Sequence, residues 1–180
     1  MKPTDLRVRD IAFSTEVHRY RTPIKFGGVA LDRATLLNTT VTVETRAGIV
    51  AQGLGSMPLG NIWAFPSKLP YETTLTAMRR VAERVAEIYR ACPDFGHPID
   101  LTMRLEHDFF RAAEEVATEL ALGEPIPRLA TLVAASPFDA ALHDAMGKAH
   151  GVSPYKTYGA GFMNHDIGDW LGAEFRGETL

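Results

Sequence analysis

The sequence contains a single cysteine, Cys92. No internal disulfide and no thiolate cage around a metal is therefore available, and a reducing compartment suits the chain. Long apolar runs are missing as well. Met1 to Asp10 has no apolar stretch of the kind a secretory leader carries, and no segment is long enough to span a bilayer. The expectation is a soluble cytoplasmic protein with no membrane partner. There is no excess of positive charge either: 19 Lys and Arg face 22 Asp and Glu, for a formal net charge of -3. No basic field exists to hold phosphate backbones, which argues against nucleic-acid binding. Gly-x-Gly-x-x-Gly and phosphate-loop lysine motifs are absent, and Ser14, Ser56 and Ser67 lie outside any Gly-x-Ser-x-Gly context. Internal repeats and low-complexity segments are absent too.

What remains is an ordinary globular composition, 46% hydrophobic and 23% charged over 180 residues, enough chain for a real core. Residues 6–55 read as β structure. Ile11, Phe13, Thr15 and Val17 alternate with Ala12, Ser14, Glu16 and His18, the period-2 pattern of a half-buried strand. After a polar, glycine-containing break over 21–28, alternation resumes in Leu37, Thr39, Val41, Val43 and Thr45. Gly48 supplies a turn, and Ile49, Val50 and Ala51 begin a third strand that ends at Gly53-Leu54-Gly55. Short connections imply an antiparallel meander.

Residues 56–70, with Pro58, Gly60, Pro66 and Pro70, read as a loop. The period then becomes helical. Leu75, Met78, Ala82, Val85 and Tyr89 form one stripe, with the arginines of 79–90 on a solvated face, and Pro93 stops the helix. Leu101, Leu105, Phe109, Ala112, Val116 and Leu120 form a second stripe, with Gly123 expected at its C′ position. A short helix around Leu129, Leu132 and Val133 is expected next. A separate last helix then starts at Ser136 and Pro137, carries Phe138, Leu142, Ala145 and Ala149, and ends at Gly151. Strands followed by helices indicate an α+β domain: a three-stranded antiparallel meander and three to four helices.

Two stretches carry a resemblance. Val41 to Gly55 looks like the second and third strands of the mandelate racemase and muconate lactonizing branch of the enolase superfamily, joined by a glycine turn and ending in Gly-x-Gly. Ser136 to Tyr155 resembles that family's Asp-x-Ala-Leu-x-Asp-x-x-Gly-Lys helix, here Asp139, Ala141, Leu142, Asp144, Gly147 and Lys148, which precedes the barrel. The resemblance covers roughly 6–159. It implies an N-terminal capping domain over 1–159 and a short tail, 160–180, where a (β/α)-barrel would begin.

In such enzymes a proton α to a carboxylate is abstracted and a divalent metal, usually Mg²⁺, meets the charge of the enediolate. The base and the metal ligands sit in the barrel. A barrel of this kind needs about 200 residues or more, so it is expected to be missing or separately encoded. No lysine follows Gly159, and Asp166, Asp169, Glu174 and Glu178 crowd one short segment. No catalytic or metal-binding residue is therefore carried over, and Mg²⁺ is expected only in the complete enzyme.

The resemblance does assign two specificity loops. The first, Pro23 to Gly28, includes Ile24, Lys25, Phe26 and Gly27; the second, Ser56 to Asn61, includes Ser56, Met57 and Asn61. Lys25 would meet a substrate carboxylate, and Phe26 or Met57 would cover an apolar portion. Many relatives have Glu where Ser56 stands, so the substrate class stays open. The implied partners are the barrel and a small carboxylate substrate, and a homo-oligomer is compatible. A rival expectation is a free-standing small-molecule-binding or interaction module that keeps the capping fold.

Among the histidines, Asp139, His143 and His150 can share a helical face, and His165-Asp166 lies in the tail, but no recognised metal-ligand spacing links them. Trp63, Phe65, Phe162, Met163 and Trp170 are the apolar side chains expected near a barrel-facing side.

Overall fold

The computed structural model describes residues 1–26 and 28–178. Three strands, β1 (Leu6–Phe26), β2 (Val29–Thr45) and β3 (Val50–Pro58), form an antiparallel sheet in the order β1-β2-β3. Helices α1 (Asn61–Ala64), α2 (Tyr71–Ala91), α3 (Pro98–Glu119) and α4 (Arg128–His150) follow, then single 3₁₀ turns around a short α5 (Gly168–Leu171). This is the α+β meander-then-helices arrangement the residue pattern implies, and no barrel occurs among the described residues.

The sheet turns one face to the helices. Leu37, Val41 and Val43 of β2 are buried there with Leu6 and Ile11 of β1, while the even-numbered residues of β2 between them face outward, as alternation along a strand requires. At the centre, Tyr89 of α2 lies between Phe109 of α3 and Phe138 of α4, with ring centroids 5.3 and 6.3 Å away. The whole α2 stripe, Leu75, Met78, Ala82, Val85 and Tyr89, is buried. The turn at Gly48 has φ +82°, and its N–H donates to the Thr45 carbonyl.

Four local expectations are corrected. Residues 21–26 of the expected break are strand, not loop. β1 continues to Phe26, pairing Ile24 with Leu31 and Lys25 with Ala30, and the ladder absorbs Pro23 in an irregularity between Arg19 and Ile24. Because β3 ends opposite Leu36, the outer part of the β1–β2 hairpin is a two-stranded ribbon projecting beyond the sheet.

The loop read over 56–70 is likewise shorter. Ser56 and Met57 belong to β3, paired with Asn38 and Leu37, and Asn61 opens α1.

The helices expected on either side of Ser136 are one, α4. Pro137 cannot donate to the carbonyl of Val133, but the Ser136 hydroxyl does so instead at 2.9 Å, and the helix runs through.

Finally, α3 ends at Glu119 and the left-handed residue beyond it is Ala121, φ 50°, with Gly123 two positions further on. Gly151, by contrast, takes φ 65° at the end of α4.

Candidate functional site

The projecting ribbon curls toward the corner where β3 gives way to α1, and a cavity of about 180 Å³ lies between them. Strand alternation decides which ribbon side chains reach it. Ile24 and Phe26 of β1, with Leu31, Arg33 and Thr35 of β2, share the face that continues into the helix-covered side of the sheet. Tyr20 joins them from β1. The opposite wall is Leu59, Gly60, Asn61 and Trp63 from the corner, closed by Tyr71 at the start of α2.

Each wall has a local cause. The Leu59 N–H donates to the Thr35 carbonyl at 2.8 Å, tying the corner to β2 just where β3 stops. The indole of Trp63 lies over Gly60, where a built Cβ would meet Nε1 at 1.9 Å. Only glycine leaves that ring where it is. Asn61 is buried, and its amide donates to the Tyr71 carbonyl at 2.9 Å and to the Thr74 hydroxyl at 2.8 Å, fixing α1 against α2.

The one charged group in the lining is already engaged. Arg33 donates to Glu72 at 2.7 Å and to Asp32 at 3.3 Å, and its guanidinium lies 5.5 Å from the Tyr71 ring centroid. The Glu72 hydrogen bond and then the charge of Asp32 raise the Arg33 pKa, and burial raises that of Tyr71.

Of the residues singled out from sequence, the structure gathers Ile24, Phe26 and Asn61 around this cavity. Lys25 does not line it; it alternates with Ile24 and Phe26 and pairs with Ala30. Gly27 lies outside the described residues. Met57 packs against the core. Ser56 faces the other side of the sheet and donates to Asn38 at 2.7 Å, within a shallow depression shared with Ser14 and Thr40. Sequence reasoning missed Tyr20, Leu31, Arg33 and Tyr71, because the region around the first three was read as a break and not as a strand. Trp63 lines the cavity, 40% exposed, whereas Phe65 and Met163 are buried within the chain itself.

A second polar cluster lies at the other end of the helices. The His97 ring caps α3, accepting at Nδ1 from the Ile99 N–H at 3.3 Å, while Nε2 meets the Thr157 carbonyl at 3.1 Å. The tautomer that satisfies both is neutral with its proton on Nε2. Its neighbour His143 contacts the Tyr158 hydroxyl at 3.1 Å and has Asp139 at 3.7 Å; Asp139 in turn accepts from Thr102 at 2.6 Å. Burial pushes the His97 pKa down to about 4, helped by His143 beside it, and lowers that of His143 as well.

The possible metal ligands do not converge. His150 reaches the Thr4 carbonyl, His165 pairs with Asp169, and Asp166 accepts from the N–H groups of Gly168 and Gly177. No group of three or more His, Cys, Asp or Glu side chains suited to a metal ion occurs among the described residues. These side chains do not fit Mg²⁺, and no chemical step is assigned to them.

No helix among the described residues is long and apolar enough to cross a membrane. No family model matches the chain. No curated protein matches it either. Solved structures do. An enolase from alpha pretobacterium bal199 with bound Mg is similar over 81% of this chain and 32% of its own, at 14% identity and a TM-score of 0.50. An enolase from Bradyrhizobium, complexed with magnesium and mandelic acid, is similar over 82% of this chain and 33% of its own, at 15% identity and a TM-score of 0.50. The chain thus spans about a third of the length of these structures. Over that third it shares the fold of these enolase structures.

Proposed function

We propose that residues 1–159 are the lid and substrate-specificity domain of an enzyme that removes a proton α to a carboxylate, as a dehydratase, racemase or cycloisomerase. The observation that carries this reading is the meeting of the ribbon tip and the β3–α1 corner around one cavity, on a fold shared with Mg-bound enolase-type structures. The chain's own part is to orient the substrate's distal group and exclude water. The base and the carboxylates for Mg²⁺ belong to a (β/α)-barrel, in the same polypeptide or a separate one, and that metal would stabilise the enediolate charge. Residues 160–178 belong to the segment leading toward that barrel, and a cytoplasmic location suits the lone unpaired Cys92.

Exchange of a substrate's α-proton with solvent deuterium tests the proposal. With Mg²⁺ and a panel of acid sugars and α-hydroxy acids, the chain alone should give none, and the chain joined to its barrel should give exchange. Metal-dependent exchange by the chain alone, abolished by one point mutation in it, would overturn the proposal.

The second reading is a free-standing binding module, and the tail is where the two readings part, because a capping domain without its barrel should fold its tail over the exposed face. Asn164 donates to both Asp5 and Asp100 at 2.8 Å, and Met163 is buried, so residues beyond 159 already cover part of the helical surface. A chain ending at Gly159 that stays monomeric, silent to a hydrophobic dye and equally stable would favour the module.

A further inference from the structure

We infer that the open edge of β1 between Phe13 and Arg19 is a self-association surface, on which two copies of the chain pair antiparallel about a twofold axis at Val17. This edge is separate from the cavity, and its pairing does not depend on the lid reading.

The hydrogen-bond phase of the sheet shows which backbone groups are free. In an antiparallel sheet the N–H and C=O of one residue point to the same side, and the side alternates along the strand. The Leu54 N–H leaves β3 for Asp144 at 2.8 Å, so Leu54 turns away from β2. Its partner Thr40 then bonds to Ala12, and the neighbours of Ala12, Ile11 and Phe13, turn their backbone groups to the free edge of β1. Arg90 agrees from the other side of the sheet by donating to the Ile11 carbonyl. The register runs unbroken from Ile11 to Arg19, so Phe13, Thr15, Val17 and Arg19 all point outward. They have no backbone partner on that side among the described residues.

Both ends of this edge are closed. Arg90 occupies Ile11, and beyond Arg19 the ladder loses its register around Pro23. Between them the edge is open, and every side chain from Ser14 onward is exposed, including Val17 at 52%.

Charge then selects the register. Outward residues must meet outward residues, so a twofold near the middle of the window falls on Thr15, Glu16 or Val17. At Thr15 it would set the partner's Arg19 against Ile11, whose carbonyl Arg90 already holds. At Glu16 it would set two carboxylates opposite each other at a Cα spacing of about 4.5 Å, which is repulsive. At Val17 it sets each Glu16 opposite the partner's His18 and brings the two Val17 side chains together. Each His18 already lies 3.2 Å from its own Glu16, so the four groups make one alternating cluster. Three outward pairs, Val17 with Val17 and Thr15 with Arg19 twice, then supply about six backbone hydrogen bonds.

So short an interface gives weak association, with a Kd on the order of 100 µM. Sedimentation of the 180-residue chain over a concentration series spanning that value should show monomer passing to dimer. Cysteine placement reads the register. In a Cys92→Ser background, Val17→Cys, Thr15→Cys and Glu16→Cys are oxidised separately. Opposed residues of a hydrogen-bonded pair lie about 5.5 Å apart by Cα, within disulfide reach, so Val17→Cys should cross-link at least about tenfold faster than the other two. Glu16→Lys should weaken association at least about tenfold, and the swapped chain Glu16→Lys/His18→Glu should recover it to within about threefold. Thr15→Pro removes an outward N–H that the β1–β2 ladder does not use, so it should abolish association and leave the thermal midpoint unchanged. A chain that stays monomeric throughout, faster cross-linking at 15 or 16, a swap that restores nothing, or association indifferent to Thr15→Pro would each overturn the inference. Thr15→Pro in the chain ending at Gly159 silences this edge, so any association left there reports the barrel-facing side instead.

Discussion

The Asp144 carboxylate accepts a hydrogen bond from the Leu54 backbone N–H at 2.8 Å, joining the middle of α4 to the free edge of β3. Lys148, one turn on, holds the same carboxylate at 2.7 Å. The two sequence stretches that resemble the enolase superfamily are therefore two sides of one contact. Replacing Asp144 with Ala should leave the Leu54 N–H without its charged partner and cost about 1–2 kcal/mol. Asp144→Asn, which retains an acceptor, should cost less. Urea unfolding of the two variants checks the order.

Gly53 and Gly55 flank that hydrogen bond and set how close α4 can come. A Cβ at Gly53 would lie 1.9 Å from the Ala141 carbonyl oxygen, and one at Gly55 1.9 Å from that of Pro137. Backbone cannot yield as a flexible side chain can. Gly53→Ala and Gly55→Ala should each destabilise by about 3 kcal/mol or fail to fold, the upper range for an overpacked interface. A midpoint within error of the parent chain would mean the sheet and α4 are further apart.

Gly48 offers a contrast, because no atom lies within 4 Å of a Cβ built there. Its cost on substitution is purely that of φ +82°. Gly48→Val should destabilise by more than about 1 kcal/mol, and Gly48→Asn by less, since Asn tolerates the left-handed region. Thermal unfolding of the pair separates backbone strain from packing.

His97 makes stability fall in acid. Its folded pKa of about 4 lies below the ordinary 6.5, so the unfolded chain takes up the proton first. Stability is complete above about pH 6.5 and is lost as pH falls toward 4, by at most about 1.4 kcal/mol per pH unit, or about 3 kcal/mol across the window. His143, shifted the same way, steepens the loss, while Asp100 and Asp5 nearby oppose it by favouring the charged ring. His97→Asn keeps a good capping side chain without the titration. Urea midpoints measured across this pH range should fall less steeply for the variant; an identical slope would remove His97 as the cause.

The helical half was legible because each helix buries one stripe, so the spacing of Leu75, Met78, Ala82, Val85 and Tyr89 reports α2 directly. The ribbon was not. From Arg19 to Phe26 every side chain is exposed, so the alternation that marks the strand to His18 does not continue, and Pro23 argues against a strand. The continuity of α4 across Pro137 depends on the Ser136 hydroxyl reaching one carbonyl, a matter of side-chain geometry that periodicity does not record. The cavity was out of reach for a different reason. Its walls come from residues 20–35 and 58–71, and only the register Ile24↔Leu31 and the Leu59–Thr35 bond bring them together. His97 precedes Pro98 and Asp100, the N1 and N3 signals of a helix start, but histidine is not a usual capping residue.

The early end of β3 has a bearing on how such a chain can diverge. Inward from Leu36, each β2 side chain on the helix side is locked into the core; outward from it, Thr35 still anchors Leu59 and Arg33 still reaches Glu72, but Leu31 and the β1 residues opposite it lie outside the core. Mutations at Ile24, Phe26 or Leu31 can therefore accumulate without drawing down the stability that Leu37, Val41 and Val43 provide. One hairpin thus holds a region that evolution can rewrite at little cost in stability and a region it must leave alone, with the boundary between them outward of Arg33.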